Sequence, residues 1–191
     1  MTIAQVFKNI TKSWLDNCLD DGLKNADRLI DMIQGDPAGY VWKGLFLYQF
    51  GRPFIAFETF KKSATLDPND VFSFFMLALI AFENGNHEAA FKMLNATAID
   101  ENHDDETLST QKFFANPIFA QRIETSIIKF FKSVAQNNQI ESTLFHVLIN
   151  LGLFKIAYEI ALPIFNQQGF SSSEEILISL SKYYLNQGEV D

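Results

Sequence analysis

Glycine recurs in this chain at a spacing that restricts the fold more than any other feature of the sequence. Gly51 and Gly85 lie 34 residues apart, and Gly152 and Gly188 lie 36 residues apart. The 67 residues between Gly85 and Gly152 come close to two such periods, and Pro117 lies near the turn expected midway. A fixed period of this length is typical of solenoids, in which one supersecondary unit is stacked repeatedly. The sequence therefore predicts a repeat protein.

The repeating unit is predicted to be a pair of helices joined by a tight turn at the glycine. Residues recur at helical spacing on both sides of Gly51, at Tyr40, Gly44, Leu47 and Tyr48 before it and at Ala56, Phe60 and Ala64 after it. Glycine suits the turn because a helix commonly ends with one residue in the left-handed conformation. Small residues at Gly44 and Ala56 should let the two helix axes approach closely. After the second helix, Asp70 or Asn69 should cap the next one.

The segment from Pro37 to Asp70 resembles a tetratricopeptide repeat, a 34-residue helix pair with aromatic, small and proline residues at fixed places. The matching residues are Tyr40, Gly44, Gly51, Ala56, Phe60 and Pro68, while Lys43 and Leu47 depart from the pattern. The next unit, from Val71 to Asp104, matches at Phe74, Leu77, Ala78, Gly85, Ala90 and Leu94, with Asn102 in place of proline. The resemblance implies an all-α fold, an alpha-alpha superhelix of antiparallel helix pairs.

The remainder of the chain fits the same pattern more loosely, within a single structural domain. Residues 1–36 are predicted to form a degenerate N-terminal helix pair, 37–104 two repeats, 105–137 a degenerate repeat, and 138–191 a repeat-like pair plus one terminal helix. Two alternatives stay open at the C-terminus. Either the natural protein ends on a lone capping helix, or the chain is part of a longer polypeptide.

In tetratricopeptide solenoids, the first helix of each pair lines a concave groove that binds a peptide. The resemblance assigns this groove to Val41, Leu45, Tyr48, Gln49, Phe72, Phe75, Leu79, Phe82 and Glu83. A wall this aromatic favours an apolar or amphipathic segment over a strongly charged tail. It contains no Lys or Arg, which disfavours the clamp that some family members use for acidic chaperone C-termini. The alternative is that these residues pack against a terminal helix of the same chain.

A second cluster of aromatic residues lies in the degenerate region. Phe113, Phe114 and Phe119 surround Pro117 at a predicted loop between helices. If these rings are exposed, they form an apolar knob suited to self-association or to a partner. If they fold under, they close the degenerate repeat instead.

Charge and cysteine content restrict the partner and the compartment. The net charge of −8 and the pI near 4.8 argue against nucleic acid and anionic membrane surfaces, because both require basic residues on the protein. The N-terminus lacks the basic and apolar regions of a signal peptide, and no apolar run approaches the roughly 18 residues of a membrane span. Cys18 is the only cysteine, which is typical of a reducing compartment. We therefore expect a cytoplasmic protein without membrane insertion.

No combination of residues in the sequence predicts a catalytic, metal or cofactor site. The acidic run at residues 100–106 contains no glycine to turn a calcium loop. His87, His103 and His146 have no partner at the spacing of a helical metal site. Nucleophile elbows and glycine-rich phosphate loops are also missing from the sequence. The expected protein is non-enzymatic and carries no cofactor or metal.

The predicted function is protein binding, as a scaffold or adaptor that holds an apolar or amphipathic peptide segment in its groove. One alternative is a cytoplasmic chaperone of the bacterial secretion type, which covers a translocator or another aggregation-prone protein. Another alternative is the scaffold part of a longer multidomain protein. The expected partner is a protein or peptide, and the C-terminal end offers a route to a homo-oligomer.

Overall fold

The computed structural model describes residues 1–96, 112–134, 143–145, 147–149 and 151–160. Helices with defined bounds in these ranges are α1 (Ile3–Leu15), α2 (Leu19–Met32), α3 (Ala38–Gln49), α4 (Pro53–Leu66), α5 (Val71–Glu83), α6 (His87–Ala96) and α7 (Pro117–Val134). Residues 112–114, 143–145, 147–149 and 154–160 are also helical, and no strand occurs among the described residues. The predicted all-α fold of stacked helix pairs is confirmed.

Some of the sequence predictions concern residues outside these ranges. The acidic run at 100–106, the turn expected at Gly188 and the C-terminal end through which self-association is expected all lie outside the described residues.

Consecutive helices pack as pairs, α1 with α2, α3 with α4 and α5 with α6, and each pair also packs on the next. Gly51 and Gly85 join the second and third pairs with φ angles of 74° and 77°, and Gly152 has a φ of 70°. Asn17 adopts the same left-handed conformation in the first pair, with a φ of 53°. At each of the described glycine turns the predicted left-handed residue is confirmed.

The close approach of α3 and α4 depends on Gly44. A Cβ atom at this position would lie 2.8 Å from the ring of Phe60 on α4. Ala56 on the facing helix is fully buried. Small residues therefore do bring these two helices together, as the sequence predicts.

The start of α5 is fixed by Asp70, one of the two caps that the sequence suggests. Its Oδ1 accepts a hydrogen bond from the backbone N–H of Ser73 at 3.2 Å, and its Oδ2 accepts one from the hydroxyl of Ser63 at 3.4 Å. Burial raises the pKa of this carboxyl above its ordinary value, although the bonds from Ser73 and Ser63 act in the opposite direction. The cap is therefore held in an environment that disfavours its charge.

Aromatic rings form the centre of the core. Trp14 of α1 makes edge contacts with Phe46 of α3 at 5.3 Å and with Phe119 of α7 at 5.0 Å between ring centroids. Trp42 of α3 meets Phe113 edge-on at 4.9 Å. Such edge-to-face pairs are favourable because the positive edge of one ring meets the negative face of the other. The core thus joins residues around position 115 to the first and second helix pairs.

Candidate binding groove

The predicted groove residues lie on α3 and α5, and four of them contact α7, namely Tyr48, Gln49, Phe82 and Glu83. Val41, Leu45, Tyr48, Phe72, Phe75 and Leu79 are buried, Gln49 and Phe82 are half-buried, and Glu83 is exposed. We call this set the groove residues. Its buried members belong to the same hydrophobic cluster as Phe119, Ile123, Ile127 and Phe130 of α7. The buried groove residues therefore lie in one core, and a helix of the same chain lies against the C-terminal ends of α3 and α5.

Ring contacts at both ends of α7 show how it lies across the first helices of the pairs. Near its N-terminus, Phe119 contacts Trp14 of α1 and Tyr48 of α3, with centroid distances of 5.0 and 6.4 Å. Near its C-terminus, Phe130 stacks on Phe82 of α5 at 4.5 Å and on Phe91 of α6 at 5.9 Å. The helix thus runs along the groove from the first pair to the third.

The residues that precede α7 also face inward. Phe113 packs on Phe72 at 4.7 Å, and Phe114 contacts the same ring at 6.4 Å. Only 5% of Phe113 and none of Phe119 is exposed, and Phe114 is half-buried. A self-association patch at these three residues requires exposed rings. Phe113 and Phe119 are not exposed, because Trp42 and Phe72 cover Phe113 and Trp14 covers Phe119. These two rings are part of the hydrophobic core.

Arg122 of α7 binds the C-terminal end of α3. Its Nη1 donates hydrogen bonds to the carbonyl oxygens of Tyr48 at 2.7 Å and of Gln49 at 3.3 Å. Its guanidinium carbon also lies 4.0 Å from the centroid of the Tyr48 ring. A cation is favoured here because the last carbonyl groups of a helix carry partial negative charge, and because the ring face is negative as well. One side chain therefore satisfies two backbone acceptors and stacks on an aromatic ring.

Glu83 at the end of α5 connects two helices to α7. Its Oε1 accepts hydrogen bonds from the Tyr48 hydroxyl at 2.7 Å and from the Ser126 hydroxyl at 2.5 Å. Burial raises the pKa of the Tyr48 hydroxyl above its ordinary value, and the nearby Glu83 carboxylate raises it further. Tyr48 therefore remains a hydrogen-bond donor throughout the physiological pH range.

Asn116 fixes the entry of α7 into the groove. Its Oδ1 accepts from the backbone N–H groups of Ile118 at 3.0 Å and Phe119 at 3.1 Å, which caps the helix. Its Nδ2 donates to the carbonyl oxygen of Trp14 at 2.6 Å and to Oδ1 of Asn17 at 3.0 Å. The fully buried Asn116 side chain thus joins the start of α7 to the end of α1.

The sequence does not predict which residues of α7 contact the groove residues. They are Phe119, Arg122, Ser126 and Phe130, which we call the α7 face. Their spacing of three, four and four residues places them on one side of a helix and was available as a signal. Of these four residues, only Phe119 is among the candidates predicted from the sequence, as part of an apolar loop and not of a helical face.

The described residues hold no group of three or more His, Cys, Asp or Glu that could bind a metal ion. Among the helices of the described ranges, none is both long and apolar enough to cross a lipid bilayer.

Comparison with known proteins supports the repeat assignment. The tetratricopeptide repeat family model matches residues 59–92, from the second helix of one pair through most of the next pair. The resemblance noted in the sequence is therefore confirmed. None of the curated proteins matches the chain.

Several solved structures resemble the chain at low sequence identity. The MamA protein is 14% identical with a TM-score of 0.48, and the match covers 90% of this chain and 97% of that chain. A MamA fragment from Desulfovibrio magneticus RS-1 is 16% identical with a TM-score of 0.48, covering 91% of this chain and 99% of that one. The TPR domain of P58(IPK) is 12% identical with a TM-score of 0.46, covering 99% and 67%.

A tetratricopeptide fold implies a protein–protein interaction scaffold, a class of module that typically carries no catalytic site.

Proposed function

We propose that this protein is an interaction scaffold whose groove residues bind an amphipathic helical segment of a partner protein. The observation that carries the proposal is the seating of α7, an amphipathic helix, against those residues. A groove that accommodates one such helix has the width and chemistry for another. Binding a helix by its apolar face is a common mode of peptide recognition.

The chemistry of the groove favours this class of ligand. Tyr48 and Phe82 contact the aromatic rings of α7 and can receive bulky apolar anchors, which usually dominate the free energy of binding. The polar groups at its edge, Glu83 and the carbonyl oxygens at the end of α3, accept hydrogen bonds. A ligand with bulky apolar residues and a basic or hydroxyl side chain on one helical face complements both features.

Charge and cysteine content agree with this ligand class. A net charge of −8 attracts basic segments over long range and repels acidic ones. Cys18 is exposed and forms no disulfide, which fits a reducing compartment such as the cytoplasm.

A photo-crosslinking experiment tests the position of the binding surface. A crosslinking phenylalanine analogue replaces Phe82 in the full chain, and partners are captured by irradiation in cells of the native host. The matched control places the same analogue at Phe54, which is 73% exposed on α4. Both substitutions retain a large aromatic ring, so the fold is preserved.

We expect the analogue at position 82 to trap a protein that the analogue at position 54 does not. Peptide mapping of the product should place the crosslink in a helical segment with bulky apolar residues on one face. A partner trapped at position 54 but not at position 82 would contradict the proposal.

A further inference from the structure

The contacts of α7 resemble those of a bound ligand more than those of a stacked repeat. Helices α1 to α6 pack each on the next in chain order, whereas α7 contacts α1, α3 and α5 in addition to α6, which precedes it. These contacts combine aromatic anchors at both ends with an arginine and a hydroxyl between them. Aromatic and arginine anchors are also the side chains that dominate binding interfaces.

The same groove residues serve α7 and the proposed partner. Tyr48, Phe82 and Glu83 each contact a member of the α7 face directly. A partner helix cannot contact these side chains while α7 covers them. The groove therefore holds either its own helix or an external one.

From this arrangement, and resting on the function proposed above, we infer that α7 is an exchangeable internal ligand. It closes the groove until a partner helix that carries a matching face displaces it. The matching face has an aromatic residue, an arginine three positions later, and a second aromatic residue eleven positions after the first. The protein is thus autoinhibited by residues 117–134.

Displacement must be an exchange rather than a simple opening. If α7 left the groove without a replacement, rings such as Tyr48 and Phe82 would meet water. Exposure of that much apolar surface is unfavourable. A competing helix removes this penalty because it covers the same rings, so only a ligand of matching chemistry can open the groove.

The partner must also supply a cation at one position. Arg122 occupies the negative end of α3, where it satisfies the carbonyl oxygens of Tyr48 and Gln49. A replacing helix without a donor at this place would leave those acceptors less well bonded. The requirement selects basic amphipathic helices over purely apolar ones.

If α7 is exchangeable, a substitution that weakens its contacts with the groove residues should strengthen the binding of an external helix. A tethered helix competes at a high effective concentration, and the apparent affinity of an external ligand falls with the fraction of open groove. A change on the α7 face alters only the internal competitor. A change on the groove would weaken both ligands and give an ambiguous result.

The test uses the full chain and a fluorescent peptide of residues 112–134 as the probe, with binding followed by fluorescence anisotropy. Arg122→Ala removes two hydrogen bonds and a ring contact from the internal helix. Because hydrogen bonds to charged groups are among the stronger ones, we expect the apparent Kd for the probe to fall about tenfold. Ser126→Ala, a smaller change that preserves the fold, should lower it several-fold.

The matched control is Lys129→Ala, which removes a cation from the exposed side of the same helix. Its probe affinity should equal that of the wild type. Hydrogen exchange should show α3 and α5 still protected in every variant, so that probe binding cannot arise from unfolding.

If Arg122→Ala and Ser126→Ala bind the probe no better than Lys129→Ala while their melting temperatures fall, α7 is a permanent part of the core and the inference is overturned. That outcome is independent of where a partner crosslinks. A gain in probe affinity combined with crosslinks away from Phe82 would uphold the exchange and overturn the proposed function alone.

Discussion

Replacing Asn116 with alanine should destabilise the protein more than the loss of an ordinary helix cap. The change removes the Oδ1 acceptor that caps α7, a loss of about 1 kcal/mol in the free energy of unfolding. It also removes the buried Nδ2 donor from the Trp14 carbonyl oxygen and from Asn17 Oδ1, which adds about 1–3 kcal/mol. The Trp14 carbonyl oxygen keeps only its longer bond, from the Asn17 N–H at 3.3 Å. We expect a total loss of about 2–4 kcal/mol.

Thermal unfolding followed by circular dichroism measures this effect. For a chain of this length, each kcal/mol lowers the melting temperature by about 2–4 °C, so Asn116→Ala should lower it by roughly 5–15 °C. The control is Thr2→Ala, which removes the exposed cap of α1, where the threonine hydroxyl accepts from Gln5 N–H at 3.2 Å. That variant should lose only about 0.5–1 kcal/mol.

Equal shifts for Asn116→Ala and Thr2→Ala would refute the reasoning. They would mean that water replaces the lost bonds at Asn116, and hence that the start of α7 is not held in a buried position against α1.

Three further predictions concern the helix pairs. Asp70→Asn keeps the cap of α5 but removes a carboxylate whose pKa is raised, so it should raise the melting temperature at pH 7. This gain should shrink as the pH falls through the raised pKa towards about 4, where the folded wild type has taken up its proton. Gly44→Ala should lower the free energy of unfolding in urea by about 1–2 kcal/mol, since its Cβ would meet the Phe60 ring. Tyr48→Phe should cost about 1 kcal/mol in the same assay, because the bond to Glu83 is lost.

Each of these three predictions can be contradicted by a specific result. A stability gain for Asp70→Asn that is unchanged down to pH 4 would show that burial does not raise the Asp70 pKa. For Gly44→Ala the comparison is Gly51→Ala, which has free space around its Cβ but a φ of 74° and should cost about 1 kcal/mol through backbone strain alone. Urea midpoints that are unchanged by Tyr48→Phe would show that solvent satisfies Glu83 as well as the hydroxyl does.

The helix pairs could be predicted from the sequence because their signals are local. The glycine turns, the Gly44 approach and the Asp70 cap each depend on residues close together in the chain or one helix apart. Few residue types adopt a left-handed conformation readily, so a glycine or asparagine between two helical patterns indicates the position of the turn. The first pair uses Asn17 instead of glycine, which explains why the glycine period does not extend to it.

The place of α7 could not be predicted in the same way. Its apolar face is compatible both with stacking on α6 as a further repeat and with packing in the groove, because periodicity specifies a buried face and not what covers it. Asn116 and Pro117 do lie at a turn between helical residues, as the sequence predicts. The bond from Asn116 to Trp14, 102 residues earlier, was not predictable. Contacts at such sequence separation have no local signature.

The passage of α7 across three helix pairs also affects how the molecule unfolds. Solenoids usually behave as one-dimensional arrays in which each unit touches only its neighbours, so that end units can fray separately. Here the contacts of Trp14 with Phe113 and Asn116 join positions 99 and 102 residues apart. The first pair cannot detach without breaking them, so the described part of the array should melt as one cooperative unit. Such non-local contacts must also form late, which should make folding slower than in an open array of the same helices.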